Sequence, residues 1–192
     1  MIAVYVAHFT HNWSWYLLLS WLPVYLADQG ADIHEVGVLA MLPQLLAFAL
    51  ANLGAAIADR LLLECCGWSL LSVRRLMGAL SQLGPAIAMG ALVVVRGQVS
   101  GSILACVAIG MGSLAQSGFM ANILDIAPRH AGIVLGISNT MATLPGILCN
   151  ISTGLMLDDG LGWAPVFAIG AVLELTGAIV FVSYARATPQ FI

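Results

Sequence analysis

Six long stretches of apolar residues, separated by short polar links, dominate the sequence. They cover residues 2–26, 37–58, 76–95, 99–124, 131–157 and 162–184, and the longest link runs from 59 to 75. A hydrocarbon core about 30 Å thick is crossed by about 20 helical residues, so each stretch is long enough to span it. The pattern predicts an all-α membrane protein with six transmembrane helices and short connections.

Polar side chains inside three of the predicted helices fall on single helical faces, because their spacing follows i, i+3, i+4 and i+7. A polar group in a membrane helix is costly and therefore marks a cavity or a helix contact. The faces comprise His8, His11, Asn12, Trp15 and Tyr16 in the first helix, Ser113, Gln116 and Ser117 in the fourth, and Asn139, Thr143 and Asn150 in the fifth.

Three of these residues are expected at one depth in the membrane. His11, Gln116 and Asn139 each lie about 5–8 Å from the centre of their helix, at a rise of about 1.5 Å per residue. Because the fourth helix runs opposite to the other two, all three fall in one layer slightly cytosolic of the midplane. We expect His11, Gln116, Asn139 and the adjacent Ser138 to line one water-accessible cavity. The alternative is that these groups only join helices through hydrogen bonds.

Composition narrows the class of protein further. Apolar residues make up 61% of the chain, charged residues 8%, and the mean hydropathy is +1.00. Soluble domains carry about 25% charged residues and disordered chains are still more polar, so both classes are excluded. A net charge of -3 and the absence of a basic cluster beyond Arg74-Arg75 exclude nucleic acid as a partner. The cysteine spacing indicates no metal site, and no cofactor is expected.

The arginines indicate the orientation in the membrane. Five of the six arginines lie on one side of the predicted membrane, in the links after the second and fourth helices and in the C-terminal segment: Arg60, Arg74, Arg75, Arg129 and Arg186. Arg96 lies on the opposite side. By the positive-inside rule, both termini face the cytosol or a plastid stroma.

Charged residues at this cytosolic edge also predict a conformational latch. Asp59 and Arg60 close the second helix and Arg75 opens the third, so Asp59 is expected to pair with Arg75. Asp125 and Arg129 are four residues apart and are expected to form a second pair. Exposed pairs contribute under about 1 kcal/mol, so their expected role is switching rather than stability.

Two histidines are the only potential cations within the predicted helices. An unperturbed imidazole has a pKa of about 6.5, so His11 could gain a proton and hold an anion in the cavity. The alternative is a neutral His11 bonded to a neighbouring group, and the same choice applies to His8. Glu174 lies near the centre of the sixth helix and has no partner visible in the sequence.

Three segments of the chain resemble one known family. It is the anion:cation symporter family within the major facilitator superfamily, which includes vesicular glutamate transporters, sialin and plant plastid phosphate and ascorbate transporters. The segments are HFTHNWSWYLLLSWLPVY at 8–25, ADR at 58–60 with SVRRLM at 72–77, and SGF at 117–119 with DIAPRHAG at 125–132 and GISNT at 136–140.

The resemblance implies a six-helix C-terminal half built from two inverted three-helix repeats. It also implies secondary active transport of inorganic phosphate or small organic anions, coupled to a proton or sodium gradient. His11 falls where the glutamate-transporting members have an Arg, and the plant-type members share His-Asn-Trp there. The resemblance therefore favours a plastid-type phosphate or organic-anion carrier over a glutamate carrier, and implies a plastid envelope, thylakoid or other intracellular membrane. Asn139 falls at a position that lines the substrate cavity in related carriers. The candidate substrate-binding residues are His11, Asn12, Tyr16, Gln116, Ser138 and Asn139.

Family members have about twelve spans, so the resemblance implies that the N-terminal six-helix half is missing from this chain. We expect an incomplete gene model; the alternative is a half-transporter that dimerises. A non-transporting membrane subunit or scaffold is the competing function. An enzyme is not expected, since the sequence offers no activated nucleophile, metal cluster or paired carboxylates.

Overall fold

The computed structural model describes residues 1–190, apart from the side chain of Leu61. Every regular element in this part of the chain is a helix. A π-helix, Ile57–Cys65, continues the second helix, and a 3₁₀ turn, Ser113–Gln116, separates the fourth from the fifth. The α-helices are α1 (Ile2–Asp28), α2 (Ile33–Ala56), α3 (Leu70–Leu92), α4 (Gln98–Gly112), α5 (Phe119–Ile126), α6 (Ala131–Asp158) and α7 (Trp163–Tyr184).

The helices occupy the six predicted stretches, with α4 and α5 sharing one of them, but two begin earlier than expected. Capping side chains explain both starts. The Asp32 carboxylate accepts hydrogen bonds from the backbone N–H groups of His34 and Glu35, at 2.8 and 2.9 Å, and so begins α2. The Ser69 hydroxyl accepts from the Ser72 N–H at 3.2 Å and begins α3. Hydrophobic length alone locates the apolar part of a helix and omits its polar first turns.

Four of the helical segments are long and apolar enough to cross a membrane: Ile33–Cys65, Gln98–Ile126, Ala131–Asp158 and Trp163–Tyr184. The prediction of an all-helical membrane protein is confirmed at this level. α1 and α3, which are 27 and 23 residues long, are not among these four, and both carry polar side chains along their length. Much of their polarity faces the protein interior, where Thr10, Ser14, Ser81 and Gln82 are buried.

The helices form a bundle in which α1 occupies a central place. α1 packs against α6 and α7, α3 packs against α4 and α7, and α2 packs against α4. One buried cluster includes Ala3, Ile126 and Ala185, so both chain termini lie at the same end of the bundle, which we call the terminal end. At the opposite end, the rings of Tyr25 and Trp163 pack edge to face with their centroids 5.3 Å apart.

Two glycines, Gly78 and Gly118, allow a close backbone approach between α3 and the start of α5. A Cβ atom at Gly118, just before α5, would lie 2.6 Å from the backbone nitrogen of Gly78 and 2.8 Å from its Cα in α3. Backbone atoms cannot move aside as the end of a flexible side chain can. The absence of a side chain at Gly118 therefore sets the distance between α3 and α5.

We expect Gly118→Ala to lower the free energy of unfolding by about 1–3 kcal/mol, because the added methyl group overpacks a backbone contact. Gly90→Ala in α3 is the matched control, since a Cβ there meets nothing within 4 Å. The control should be neutral or slightly stabilising, as Ala is the better helix former. Melting temperatures in detergent measure both, and equal values for the two variants would contradict the close contact.

Candidate functional site

A cavity of about 400 Å³ opens between α1, α2 and the broken segment formed by α4 and α5. This volume lies in the range of small-molecule sites. α1 contributes one face of the cavity, α2 contributes the opposite wall, and the chain around the 3₁₀ turn closes the third side. The polar lining residues are His8, His11, Asn12, Tyr16, Gln44, Ser113 and Gln116, and the aromatic ones are Trp15 and Phe48 with Phe119.

The break between α4 and α5 lies beside His11. α4 ends at Gly112, where a Cβ atom would lie 3.0 Å from Cε1 of the His11 ring. The 3₁₀ turn follows, and α5 begins at Phe119, whose ring centroid is 5.6 Å from that of His11. Mid-helix 3₁₀ segments often mark functional hinges, and binding sites in transporters are typically built from broken helices.

His11 connects the cavity to the interior of the bundle. It lines the cavity on one side, and on the other its Nδ1 lies 3.8 Å from Oε1 of Glu174 in α7. The side chain of His11 is 13% exposed, whereas that of Glu174 is fully buried. The structure therefore supplies the partner for Glu174 that the sequence does not show, because α1 and α7 are distant in sequence but pack together.

Of the predicted substrate-binding residues, His11, Asn12, Tyr16 and Gln116 all line this cavity. Asn12 and Tyr16 also hold α1 against α6. The Asn12 amide donates a hydrogen bond to the Ala142 carbonyl at 2.9 Å, and the Tyr16 ring packs on Gly146. Gln116 is exposed in the cavity and makes no such contact among the described residues.

Ser138 and Asn139 lie outside the set of residues that line the cavity. Ser138 is buried, and its hydroxyl is 2.7 Å from Nδ1 of His8, so it joins α6 to α1. Asn139 is exposed on α6, about 100° around the helix from Ser138. The structure thus brings together the α1 and Gln116 parts of the predicted layer and leaves the α6 part outside. Gln44 on α2 is a cavity residue that the predicted site did not include.

The charged residues at the terminal end pair differently from the sequence-based expectation. Arg74, and not Arg75, forms the interhelical ion pair: its Nε lies 2.7 Å from Oδ2 of Asp125. Arg75 donates instead to the backbone carbonyl of Ala185 at 3.2 Å. Asp59 and Arg60 are exposed on the π-helix, and no ion pair involves either of them within the described residues.

The expected pair of Asp125 with Arg129 also requires correction. α5 ends at Ile126, and Ala127 precedes Pro128, a position at which the helical conformation is disfavoured. Asp125 and Arg129 therefore do not share a helix, and Arg129 is exposed. A conformational role for these charged residues stays a prediction.

Comparison with known proteins decides the family. The profile of the Major Facilitator Superfamily matches residues 4–191. The chain belongs to the Major Facilitator Superfamily. This membership confirms the resemblance found in the sequence, and it agrees with the expectation that the chain is not an enzyme, because the family and the relatives below are transporters.

Several relatives match almost the whole chain. "Probable anion transporter 4, chloroplastic" from Oryza sativa subsp. japonica is 37% identical over 93% of this chain and 30% of its own length. "Ascorbate transporter, chloroplastic" from Arabidopsis thaliana is 35% identical over 95% of this chain and 34% of its own length. Human "Sialin" is 36% identical over 98% of this chain and 39% of its own length. The chain thus spans about a third of the length of the curated relatives it matches.

Proposed function

We propose that this chain forms the second six-helix half of a secondary active carrier for small anions, either inorganic phosphate or organic anions. The observation that carries the proposal is the cavity beside the broken α4–α5 segment, with His11 as its potential cation. The names of the relatives, which include an anion transporter, an ascorbate transporter and a sodium-dependent phosphate transport protein, agree with an anionic substrate.

The packing of the helices supports six spans arranged as two three-helix repeats. α1 packs on α6 and α7 in the same way as the α4–α5 segment packs on α2 and α3, and α3 packs on α7. If α1, α2 and α3 are exchanged with the α4–α5 segment, α6 and α7, in that order, the same pairs of helices remain in contact. The buried polar residues of α1 and α3 support the same arrangement, since they face other helices and would not contact lipid.

The outer faces of α2 and α6 support a missing first half. Both helices carry many exposed large apolar side chains, which would face lipid or further helices. Ahead of its terminal residue Asp158, α6 also exposes three polar side chains on an otherwise apolar surface: Asn139, Thr140 and Thr143. In the proposed carrier this face meets the first half, which completes the cavity wall. Asn139 belongs to that boundary, whereas Ser138 stays in the contact with α1.

Only a few side chains from this half would contact the bound anion. His11, when protonated, supplies the positive charge, and the amide of Gln116 donates a hydrogen bond. Asn12 and Tyr16 border the same cavity. α5 begins at the cavity, so the positive end of its dipole adds to the favourable potential. No Arg or Lys is among the residues that line it, which leaves His8 and His11 as the potential cations from this half. Because His8 Nδ1 is bonded to Ser138, His11 is the proposed charged contact.

The proposed carrier resides in a plastid or other intracellular membrane with both termini on the cytosolic or stromal side. Both termini lie at the terminal end, together with five arginines, and Arg96 lies at the other end. At the terminal end, we propose that Arg74 and Asp125 act as the latch in place of Asp59 and Arg75, because they are the charged pair that joins α3 to α5.

The test is uptake by the full-length gene product, translated from the complete transcript and reconstituted in proteoliposomes. We expect the transcript to encode six further spans upstream of this chain. Uptake of labelled ascorbate or phosphate should rise as the pH outside the vesicles falls, because protonation of the cavity favours an anion. A folded protein that takes up neither anion under a proton or a sodium gradient would support the scaffold function instead.

A further inference from the structure

Glu174 is an acidic residue in the middle of an apolar helix. Its side chain is fully buried, and neither carboxyl oxygen has a hydrogen-bond partner among the described residues. An ionised carboxylate in such a place is costly unless a positive charge compensates it. The burial and the missing partners indicate that Glu174 is neutralised, either by carrying its own proton or by pairing with a neighbouring cation.

His11 is the one titratable side chain that faces Glu174 in the small pocket around it. The other residues of that pocket are uncharged: Ser14, Trp15, Leu18, Pro85, Ala108 and Ile109. On α1, His8 lies one turn away with its Nδ1 bonded to Ser138 of α6. α3 contributes Gln82 near this depth, and its two arginines lie at the terminal end, where they bond to other groups.

The geometry suits a pair that can change its protonation. Among the described residues, the Nδ1 atom of His11 has no hydrogen-bond partner, and it lies 3.8 Å from Oε1 of Glu174, about 1 Å beyond a charge-assisted hydrogen bond. The opposite face of His11 borders the cavity, so one imidazole contacts both the buried carboxyl group and any bound anion.

We propose that His11 and Glu174 together form the proton-binding unit of the carrier, which takes up one proton as an anion enters the cavity. This inference rests on the proposed transport function and names its coupling ion. With the cavity empty, the unit holds one proton and is neutral, either as imidazole with carboxylic acid or as imidazolium with carboxylate. Loss of that proton would leave an uncompensated buried carboxylate.

Entry of a monovalent anion changes this balance. The anion requires an imidazolium facing the cavity, while a second negative charge on Glu174 would repel it. A second proton from the surrounding water removes the conflict and leaves the anion, imidazolium and carboxylic acid with a net charge of zero. Release of the anion on the other side reverses the step and frees that proton, so one proton moves with each anion.

A fixed cation at position 11 isolates the contribution of Glu174. In His11→Arg, proton uptake on anion binding can come only from Glu174 within this unit. We would measure proton uptake by calorimetry of ascorbate binding in buffers of different ionisation enthalpy, using the full-length gene product in detergent. Ascorbate suits the test because it stays a monoanion around neutral pH.

We expect one proton per ascorbate for the wild type and for His11→Arg, and none for His11→Arg with Glu174→Gln, with binding retained in all three. His11→Arg with Glu64→Gln is the matched control, because Glu64 is exposed on the π-helix, and it should still take up one proton. Ascorbate binding to His11→Arg without proton uptake, or unchanged proton uptake when Glu174→Gln is added to His11→Arg, would overturn the inference and leave the proposed transport function standing. Absence of anion binding by the folded wild type would overturn both.

A measurement on the wild type is independent of whether the Arg variant folds. Carbon-13 NMR of the Glu174 carboxyl group and nitrogen-15 NMR of the His11 ring report the two protonation states, with assignments from Glu174→Gln and His11→Gln. In the presence of ascorbate, we expect both groups to be protonated at once. An ionised Glu174 or a neutral His11 in the liganded protein would contradict the proposal.

Discussion

Ascorbate binding should weaken by about 10- to 100-fold when His11 is replaced by Gln. The substitution keeps a polar side chain of similar size at the cavity but removes one of the two histidines that can become a cation there, and the other, His8, already has its Nδ1 bonded to Ser138. A hydrogen bond to a charged group contributes about 1.5–3 kcal/mol, which corresponds to that loss of affinity. His11→Arg should retain binding, because it restores a positive charge at the same place.

Equilibrium binding of labelled ascorbate to the purified full-length gene product measures this effect. His130→Gln is the matched control, since it makes the same chemical change at an exposed position outside the cavity. The control should bind as the wild type does. If His11→Gln bound ascorbate as tightly as His130→Gln, His11 would be a packing residue and the cation would come from His8 or from the other half.

Arg74→Met should lower the free energy of unfolding by about 3–5 kcal/mol, the usual cost of breaking a buried ion pair by removing one partner. Only about a tenth of the Arg74 and Asp125 side chains is exposed. Arg74 also donates from Nη1 to the Ser117 carbonyl at 3.1 Å, so it holds both ends of α5. Its loss leaves Asp125 with only a 3.4 Å contact from the Asn122 amide.

A double-mutant cycle in detergent tests this assignment. Arg74→Met combined with Asp125→Leu should be markedly more stable than Arg74→Met alone, because no unpaired charge remains buried. Arg129→Met removes the same charge from an exposed position and should change stability by less than about 0.5 kcal/mol. Equal losses for Arg74→Met and Arg129→Met, or additive effects in the cycle, would contradict the structural role of the pair.

The positions of the helices and the polar face of α1 could be predicted from the sequence, because apolar length and helical spacing are properties of a single segment. The interaction partners of those residues could not be predicted from the sequence, because they depend on how each helix is rotated about its own axis. Arg74 and Arg75 differ by one position, or about 100° around α3, and only Arg74 faces Asp125. Ser138 and Asn139 differ in the same way on α6.

Two features could be identified only from the tertiary structure. One is the break between α4 and α5, and the other is the partner of Glu174. The stretch from 99 to 124 is long enough for one continuous span, and its polar residues Ser113, Gln116 and Ser117 follow helical spacing. Its pattern therefore gives no sign of the 3₁₀ turn, although Gly112 and Gly118 flank it. Glu174 is far from His11 in sequence, and their contact follows from the packing of α7 on α1. A buried acid in an apolar helix was the available signal that a partner had to exist.

The central claim is that the cavity between α1, α2 and the broken α4–α5 segment binds the anion. Protection of a single cysteine tests it most directly, in the full-length gene product with the four native cysteines of this chain, and any others in the gene product, replaced. Gln116→Cys places the thiol in the cavity, and His130→Cys places it at an exposed position outside the cavity. We expect ascorbate or phosphate to slow alkylation of Gln116→Cys by a charged maleimide and to leave His130→Cys unaffected. Equal alkylation rates at Gln116→Cys with and without either anion would contradict the account.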